Sequence, residues 1–162
     1  MKTDILIVYY SWKGNTRKIA ELIQRETGGT LFEIEPVRQY STDYSTVVAQ
    51  AKKEISSGFK PELKALPEDT SYKVVFVGTP IWCYTMAPPV AAFIDRFDLT
   101  GKTVIPFHTH GGGGGGSFEQ DVAKMCQDST ITKGFGTCGR GGSNTLARIR
   151  SWLKSIGPAL GK

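Results

Sequence analysis

Hydrophobic and polar positions follow two alternating periods along the chain. Ile5-Leu6-Ile7-Val8-Tyr9-Tyr10 is an unbroken β-branched and aromatic run, the pattern of a strand buried on both faces. Ile19, Ala20, Leu22 and Ile23 then recur at helical spacing, and Gly28-Gly29 closes that helix. Leu31 to Glu35 reads as a second strand, ended by Pro36. Within the long polar segment 37–67, Val48, Ala51 and Ile55 predict a helix that closes near Gly58. Val74 to Val77 predicts a third strand, cut by Gly78 and Pro80. Val90, Phe93, Ile94 and Phe97 form a third helical stripe, opened by Pro88-Pro89. Thr103 to Phe107 reads as a fourth strand, and Phe118, Val122, Met125 and Cys126 as a fourth helix. Ile131 to Cys138 gives a weaker, glycine-containing fifth strand; Leu146, Ile149, Leu153 and Ile156 line a last helix.

Strands alternating with helices imply crossover connections, hence an α/β fold with a parallel sheet and helices on both faces. A length of 162 residues, with no internal repeat or linker, predicts one domain over 1–162. Composition narrows the class. Hydrophobic residues at 40% and charged residues at 22% argue for a packed core rather than disorder. No stretch approaches the ~18 apolar residues of a membrane span, and the N-terminal run lacks a signal-peptide cleavage site. Cys83, Cys126 and Cys138 are odd in number and widely spaced, so neither a disulfide framework nor a zinc site is expected. A reducing cytoplasm fits that usage.

Charge adds an asymmetry. The net +5 is concentrated in 129–162, which has Lys133, Arg140, Arg148, Arg150, Lys154 and Lys162 but no acid. A nucleic-acid patch would need aromatic interleaving or a known motif, and only Phe135 and Trp152 are aromatic here. A solvated helix face is the plainer reading, so no nucleic-acid partner is expected.

Ligands of open α/β sheets bind beyond the carboxyl ends of the strands, and three loops there are unusual. Ser11-Trp12-Lys13-Gly14-Asn15-Thr16 offers short polar side chains, a glycine and a helix N-terminus, which suits a phosphate. It matches neither a Walker loop nor a dinucleotide fingerprint. The structural alternative is a helix capped by Asn15 or Thr16. The loop after the third strand, Thr79 to Pro89, places Trp82 and Tyr84 between prolines. It is either a platform for a flat ring or a pair of rings folded onto the sheet edge. The third loop is His108-Thr109-His110, six glycines (Gly111 to Gly116) and Ser117. Glycine backbone can approach the edge of a planar heterocycle. The two histidines share a strand face but have no third ligand, so no metal is expected. His108 reads as a packed strand residue and His110 as the one bordering a ligand. Cys83 reads as a space-filling residue of its loop, Cys126 as helix core and Cys138 as a strand end.

Strand, Ser-x-x-Gly-Asn-Thr and amphipathic helix together resemble the phosphate loop of flavodoxins. Gly78-Thr79-Pro80-Ile81-Trp82 and Thr109-His110-Gly111-Gly112 are similar to the other two flavin loops of a short-chain, flavodoxin-like subfamily, and the similarity runs from about Ile5 to Trp152. The resemblance implies a doubly wound five-stranded parallel sheet of order 2-1-3-4-5, undivided in its fifth strand, and one bound FMN. It assigns Ser11, Trp12, Lys13, Gly14, Asn15 and Thr16 to the phosphate. Thr79, Pro80, Ile81, Trp82 and Cys83 would meet the ribityl chain and one ring face, with Trp82 the stacking residue. Thr109, His110, Gly111 and Gly112 would meet the pyrimidine side. Two departures stand out: Lys13 replaces a common Thr, and the three loops carry no Asp or Glu. A flavin without acidic neighbours is expected to be easier to reduce fully than in a typical flavodoxin. The Trp82-Cys83 position also lacks the glycine that would let its peptide flip.

The implied function is an FMN electron carrier, which needs no catalytic residue. An NAD(P)H-dependent FMN or quinone reductase on the same fold is the alternative, with a pocket built from Tyr84, His110 or the segment around Tyr40 and Tyr44, and His110 as proton donor. An interaction module without FMN is a third reading. Flavodoxins are usually acidic and dock basic partners. The acid-free end of this chain instead points to a redox partner with an acidic face.

Overall fold

The computed structural model describes residues 3–161. In chain order its elements are β1 (Ile5–Tyr9), α1 (Asn15–Thr27), β2 (Thr30–Glu33), α2 (Tyr44–Ser57), β3 (Val74–Trp82), β4 (Thr85–Met86), α3 (Pro88–Arg96), β5 (Thr103–His110), α4 (Phe118–Met125), β6 (Thr130–Ile131), β7 (Phe135–Cys138) and α5 (Thr145–Ser155). A short 3-10 turn, Gly157–Leu160, follows. The parallel order is β2-β1-β3-β5, with β6 and β7 both pairing along the outer side of β5. Taken together, β6 and β7 are the fifth strand, so the principal strands run 2-1-3-4-5. The expected undivided fifth strand carries a break at 132–134, where the chain leaves the ladder and rejoins it.

Side-chain alternation explains the layering. Along β1 and the residue that follows it, Leu6, Val8 and Tyr10 enter one core cluster while Ile7 and Tyr9 enter the other. The first cluster includes Val47 of α2, Val90 and Phe93 of α3, and Phe118 and Val122 of α4. The second takes Ile19, Ala20 and Ile23 of α1 with Ile149 and Trp152 of α5. A strand feeding both layers must be apolar at successive positions, which is why the unbroken runs mark the central strands. Among the described residues, no helix is long and apolar enough to cross a membrane.

Two local expectations change. β3 does not stop at Gly78 and Pro80 but runs on to Trp82. Gly78 makes room rather than a break, since a Cβ there would sit 2.1 Å from the Phe107 ring. The Gly78 carbonyl accepts from the Tyr10 N–H. Pro80, two residues on, therefore turns its missing donor toward β1, which has already ended. In α2 the buried positions are Val47, Ala51 and Glu54 rather than Val48, Ala51 and Ile55. Asp43 caps the helix at the Thr46 N–H, and Glu54 tolerates burial because its carboxylate accepts from the Tyr40 hydroxyl (2.6 Å) and the Gln50 amide (2.7 Å).

Candidate functional site

All three unusual segments meet at the carboxyl ends of β1, β3 and β5, around a cleft of about 670 Å³. That lies within the roughly 300–1,000 Å³ typical of small-molecule sites. Of the residues assigned from sequence, Ser11, Trp12, Lys13, Asn15, Thr16, Pro80, Ile81, Trp82, Cys83, Thr109, His110 and Gly111 line it. Gly14, Thr79 and Gly112 do not. Further lining comes from Tyr44, Val47, Val48, Ala51 and Lys52 of α2, from Tyr84, from Gly113 and Gly114, and from Cys138 and Gly139.

The first loop is built as an anion cradle, but not with the expected cap. Gly14 is the N-cap of α1 and stands at φ 96°, a left-handed conformation that favours glycine. The capping oxygen is that of Ser11, whose hydroxyl accepts from the Gly14 N–H (3.0 Å) and the Arg17 N–H (3.2 Å). Asn15 and Thr16 do not cap; they open the helix, and their own N–H groups are left for a ligand. The buried Thr16 hydroxyl shares a 2.8 Å hydrogen bond with the buried Thr109 hydroxyl, fastening this loop to the end of β5. Lys13 lies over the Trp12 ring, 4.4 Å from its centroid. The Trp12 indole N–H donates to the Ser41 carbonyl at 2.9 Å.

The second segment is a strand end and a two-residue hairpin. Ile81 pairs with Met86 and Trp82 with Thr85, so Cys83 and Tyr84 form the turn. Both have positive φ, 51° and 66°, the backbone of a type I′ turn that normally takes Asn or Gly. The Ser117 N–H donates to the Tyr84 carbonyl at 2.7 Å and holds the turn in place. Thr79 faces inward instead of the cleft, its hydroxyl accepting from the Ala87 N–H at 2.9 Å. Trp82 borders the cleft, but its ring is braced edge-on by Tyr10, Tyr40 and Trp12, at centroid distances of 5.6, 5.0 and 6.3 Å. Burial raises the Tyr10 and Tyr40 hydroxyls well above the usual phenol range, and at Tyr40 the bond to Glu54 adds to this. Tyr84, by contrast, is 75% exposed at the rim.

The glycine run divides into two parts. At Gly111 to Gly114 a Cβ would meet nothing within 4 Å, and Gly111, Gly113 and Gly114 line the cleft. Gly115 packs on the His108 ring, and a Cβ on Gly116 would lie 1.9 Å from the Tyr84 carbonyl. His108 is packed inward, between Gly115 and Gly136 and edge-on to Phe118. Burial and then the neighbouring His110 lower its pKa to about 4. His110 lines the cleft and accepts from the Gly112 N–H at Nδ1, 3.0 Å away. In the neutral ring the proton therefore sits on Nε2, as a donor.

Among the described residues, Lys13 and Lys52 are the charged residues of the lining and no carboxylate lines it. Free N–H groups and a lysine at one end, and unobstructed backbone with a fixed imidazole donor at another, fit an anionic group joined to a planar heterocycle. FMN has that form.

Comparison with known proteins agrees. No curated protein matches the chain. An inferred flavoprotein from Bacteroides eggerthii superposes with a TM-score of 0.83 at 30% identity, covering 94% of this chain and 97% of that one. A flavoprotein from Lactobacillus acidophilus in complex with FMN gives a TM-score of 0.71 at 23% identity, over 93% and 99% of the two chains. A flavodoxin from the domain Archaea matches in fold, with a TM-score of 0.61 at 17% identity over 100% of both chains. The flavodoxin family model spans residues 4–156, and the chain belongs to the flavodoxin family.

Proposed function

We propose that this chain binds FMN in the cleft and works as an electron-transfer protein. The observation that carries the reading is the convergence, in one cavity, of the free N–H groups at the start of α1 and the open backbone of Gly111, Gly113 and Gly114. Ser11 to Thr16 would hold the phosphate, with Lys13 as countercharge. Pro80 to Cys83 and Thr109 to Gly112 would border the rest of the ligand, with His110 Nε2–H as an oriented donor. Bound FMN would supply one- and two-electron transfer, while the protein binds, orients and sets the local field. Because no carboxylate lines the cleft, the fully reduced cofactor should form at a less negative potential than in an acidic flavodoxin. A reductive titration measures this directly.

The partner we propose presents an acidic face. Arg140 is exposed directly after the cleft-lining Gly139, and the exposed Arg148 lies on α5. Among the described residues no acid follows Asp128. Three free cysteines suit a reducing cytoplasm.

The decisive experiment is anaerobic reduction of the purified, FMN-loaded protein with and without NAD(P)H. Quenching of flavin fluorescence on mixing establishes binding. Reduction by a partner reductase but not by NAD(P)H alone supports the carrier. Rapid bleaching by NAD(P)H alone would replace that reading with a self-sufficient reductase.

A further inference from the structure

The flavin loops do not account for the whole cleft. Tyr44, Val47, Val48, Ala51 and Lys52 also line it, and their spacing of 0, 3, 4, 7 and 8 is one continuous face of α2. This limb has a distinct chemistry. Val48 is half-buried and gives an apolar floor, backed by Val47 and Ala51, which are almost fully buried. At its mouth stands Tyr44, 71% exposed, with its ring 6.5 Å from Trp12. Trp12 in turn is held by its indole bond to the Ser41 carbonyl. About two turns along the helix from Tyr44, Lys52 supplies a single positive charge, and among the described residues it has no ion-pair partner.

α2 packs on the core through Val47 and Ala51, while its more outward residues Tyr44, Val48 and Lys52 line the cleft. Here apolar floor, aromatic wall and unpaired ammonium share one cavity with the flavin loops. We infer that the α2 limb is a second ligand subsite, and that its ligand is a flat aromatic ring bearing one anionic group. The ring would lie on Val48 against Trp12 and Tyr44, and the anion would reach Lys52. Aromatic walls favour planar ligands by stacking and edge contacts, and a lone cation at the end of an apolar slot selects an acidic substituent over its neutral isostere. This rests on the FMN reading in one respect only: the flavin occupies the loops and leaves the limb open.

The test uses the FMN-loaded protein, with naphthalene-2-carboxylate as probe and naphthalene-2-carboxamide as its uncharged match. Binding is read by calorimetry, and FMN loading is followed separately by flavin fluorescence. We expect the carboxylate to bind alongside FMN. In Lys52→Ala its affinity should fall about fivefold, with the amide unaffected. In Val48→Trp, which fills the limb from a half-buried position, both probes should lose binding while FMN affinity stays unchanged. Absence of carboxylate binding to the loaded protein would overturn the inference, as would equal binding to Val48→Trp. Binding that FMN displaces would overturn it too, because the probe would then be using the flavin loops. Should FMN itself fail to bind, the FMN reading falls, and the same titrations of the flavin-free variants still decide the limb.

Discussion

The two sides of the cleft are made in opposite ways. At the start of α1, local sequence does nearly everything. The Ser11 hydroxyl, the left-handed Gly14 and the first helical N–H groups lie within a few residues of one another. Across the cleft, the Cys83–Tyr84 turn and the end of the glycine run hold one another. Tyr84 gives its carbonyl to Ser117, and Gly116 fits only because it has no side chain against that carbonyl. Neither piece specifies its shape alone: Cys-Tyr is a poor type I′ turn, and six glycines are by composition a flexible linker. The contrast teaches that a cradle can be legible locally on one side and exist on the other only as a tertiary contact.

The largest expected effect breaks that contact. In Gly116→Ala the new Cβ meets the Tyr84 backbone, which cannot swing away as a side chain would, and the residue must also keep φ 55°. Overpacking and backbone strain together should cost on the order of 3 kcal/mol, or a fall of roughly 5–10 °C in Tm. Thermal unfolding measures this. A Tm within a degree or so of the parent would mean the turn and the glycine run do not support each other.

Acid should loosen the same side next. His108 lies under the glycine run with a buried Nδ1 that has no hydrogen-bond partner among the described residues, and its pKa is lowered to about 4 from 6.5. The folded state therefore binds this proton less readily than the unfolded chain. The associated stability is complete above about pH 6.5 and is lost as pH falls toward 4. Partial exposure of the ring reduces its size. Tm measured from pH 7 to pH 4 should fall more steeply in the parent than in His108→Gln. Parallel profiles would remove His108 from the account.

Much of the fold was legible because periodicity reports burial directly. Unbroken runs such as Ile5 to Tyr10 and Val74 to Val77 mark central strands, and the Val90-Phe93-Ile94-Phe97 stripe marks α3. What stayed hidden depended on residues distant in sequence. Gly78 looks like a terminator until Phe107 of a neighbouring strand is seen to need its space. Trp82 looks like a free platform until Tyr10, Tyr40 and Trp12 are placed around it. Apart from Tyr44, the α2 lining is not read from sequence, because α2 lies within a long polar segment and turns Val48 partly into the cleft. Its 44-47-48-51-52 spacing was readable as a helix face, but nothing local says which cavity a face adjoins.

The Ser11 side should give a smaller effect of a different kind. Ser11→Ala removes the acceptor of two N–H groups, and loss of such a cap costs about 1 kcal/mol. Because that hydroxyl holds the turn that presents the Asn15 and Thr16 N–H groups, FMN affinity should also fall while the rest of the cleft keeps its form. Flavin fluorescence titration beside thermal unfolding separates the two. An unchanged Tm with unchanged affinity would show that Ser11 neither caps α1 nor shapes the loop.

The smallest effect distinguishes best between the two accounts of the glycine run. Gly113 has no positive φ and nothing within 4 Å of where a Cβ would be, only three positions from Gly116. If the run were a uniform linker, alanine would act alike at both places, through the unfolded chain alone. With the run divided as described, Gly113→Ala should leave Tm unchanged or raise it slightly, by at most about 1 kcal/mol of lost unfolded-state freedom. FMN affinity should report the new methyl, because Gly113 lines the cleft. Identical composition would then give opposite consequences three residues apart, one set by contact with Tyr84 and the other by contact with the ligand. Equal destabilisation by the two substitutions would show that the run is held as one unit, and the division between its packed end and its open end would fail.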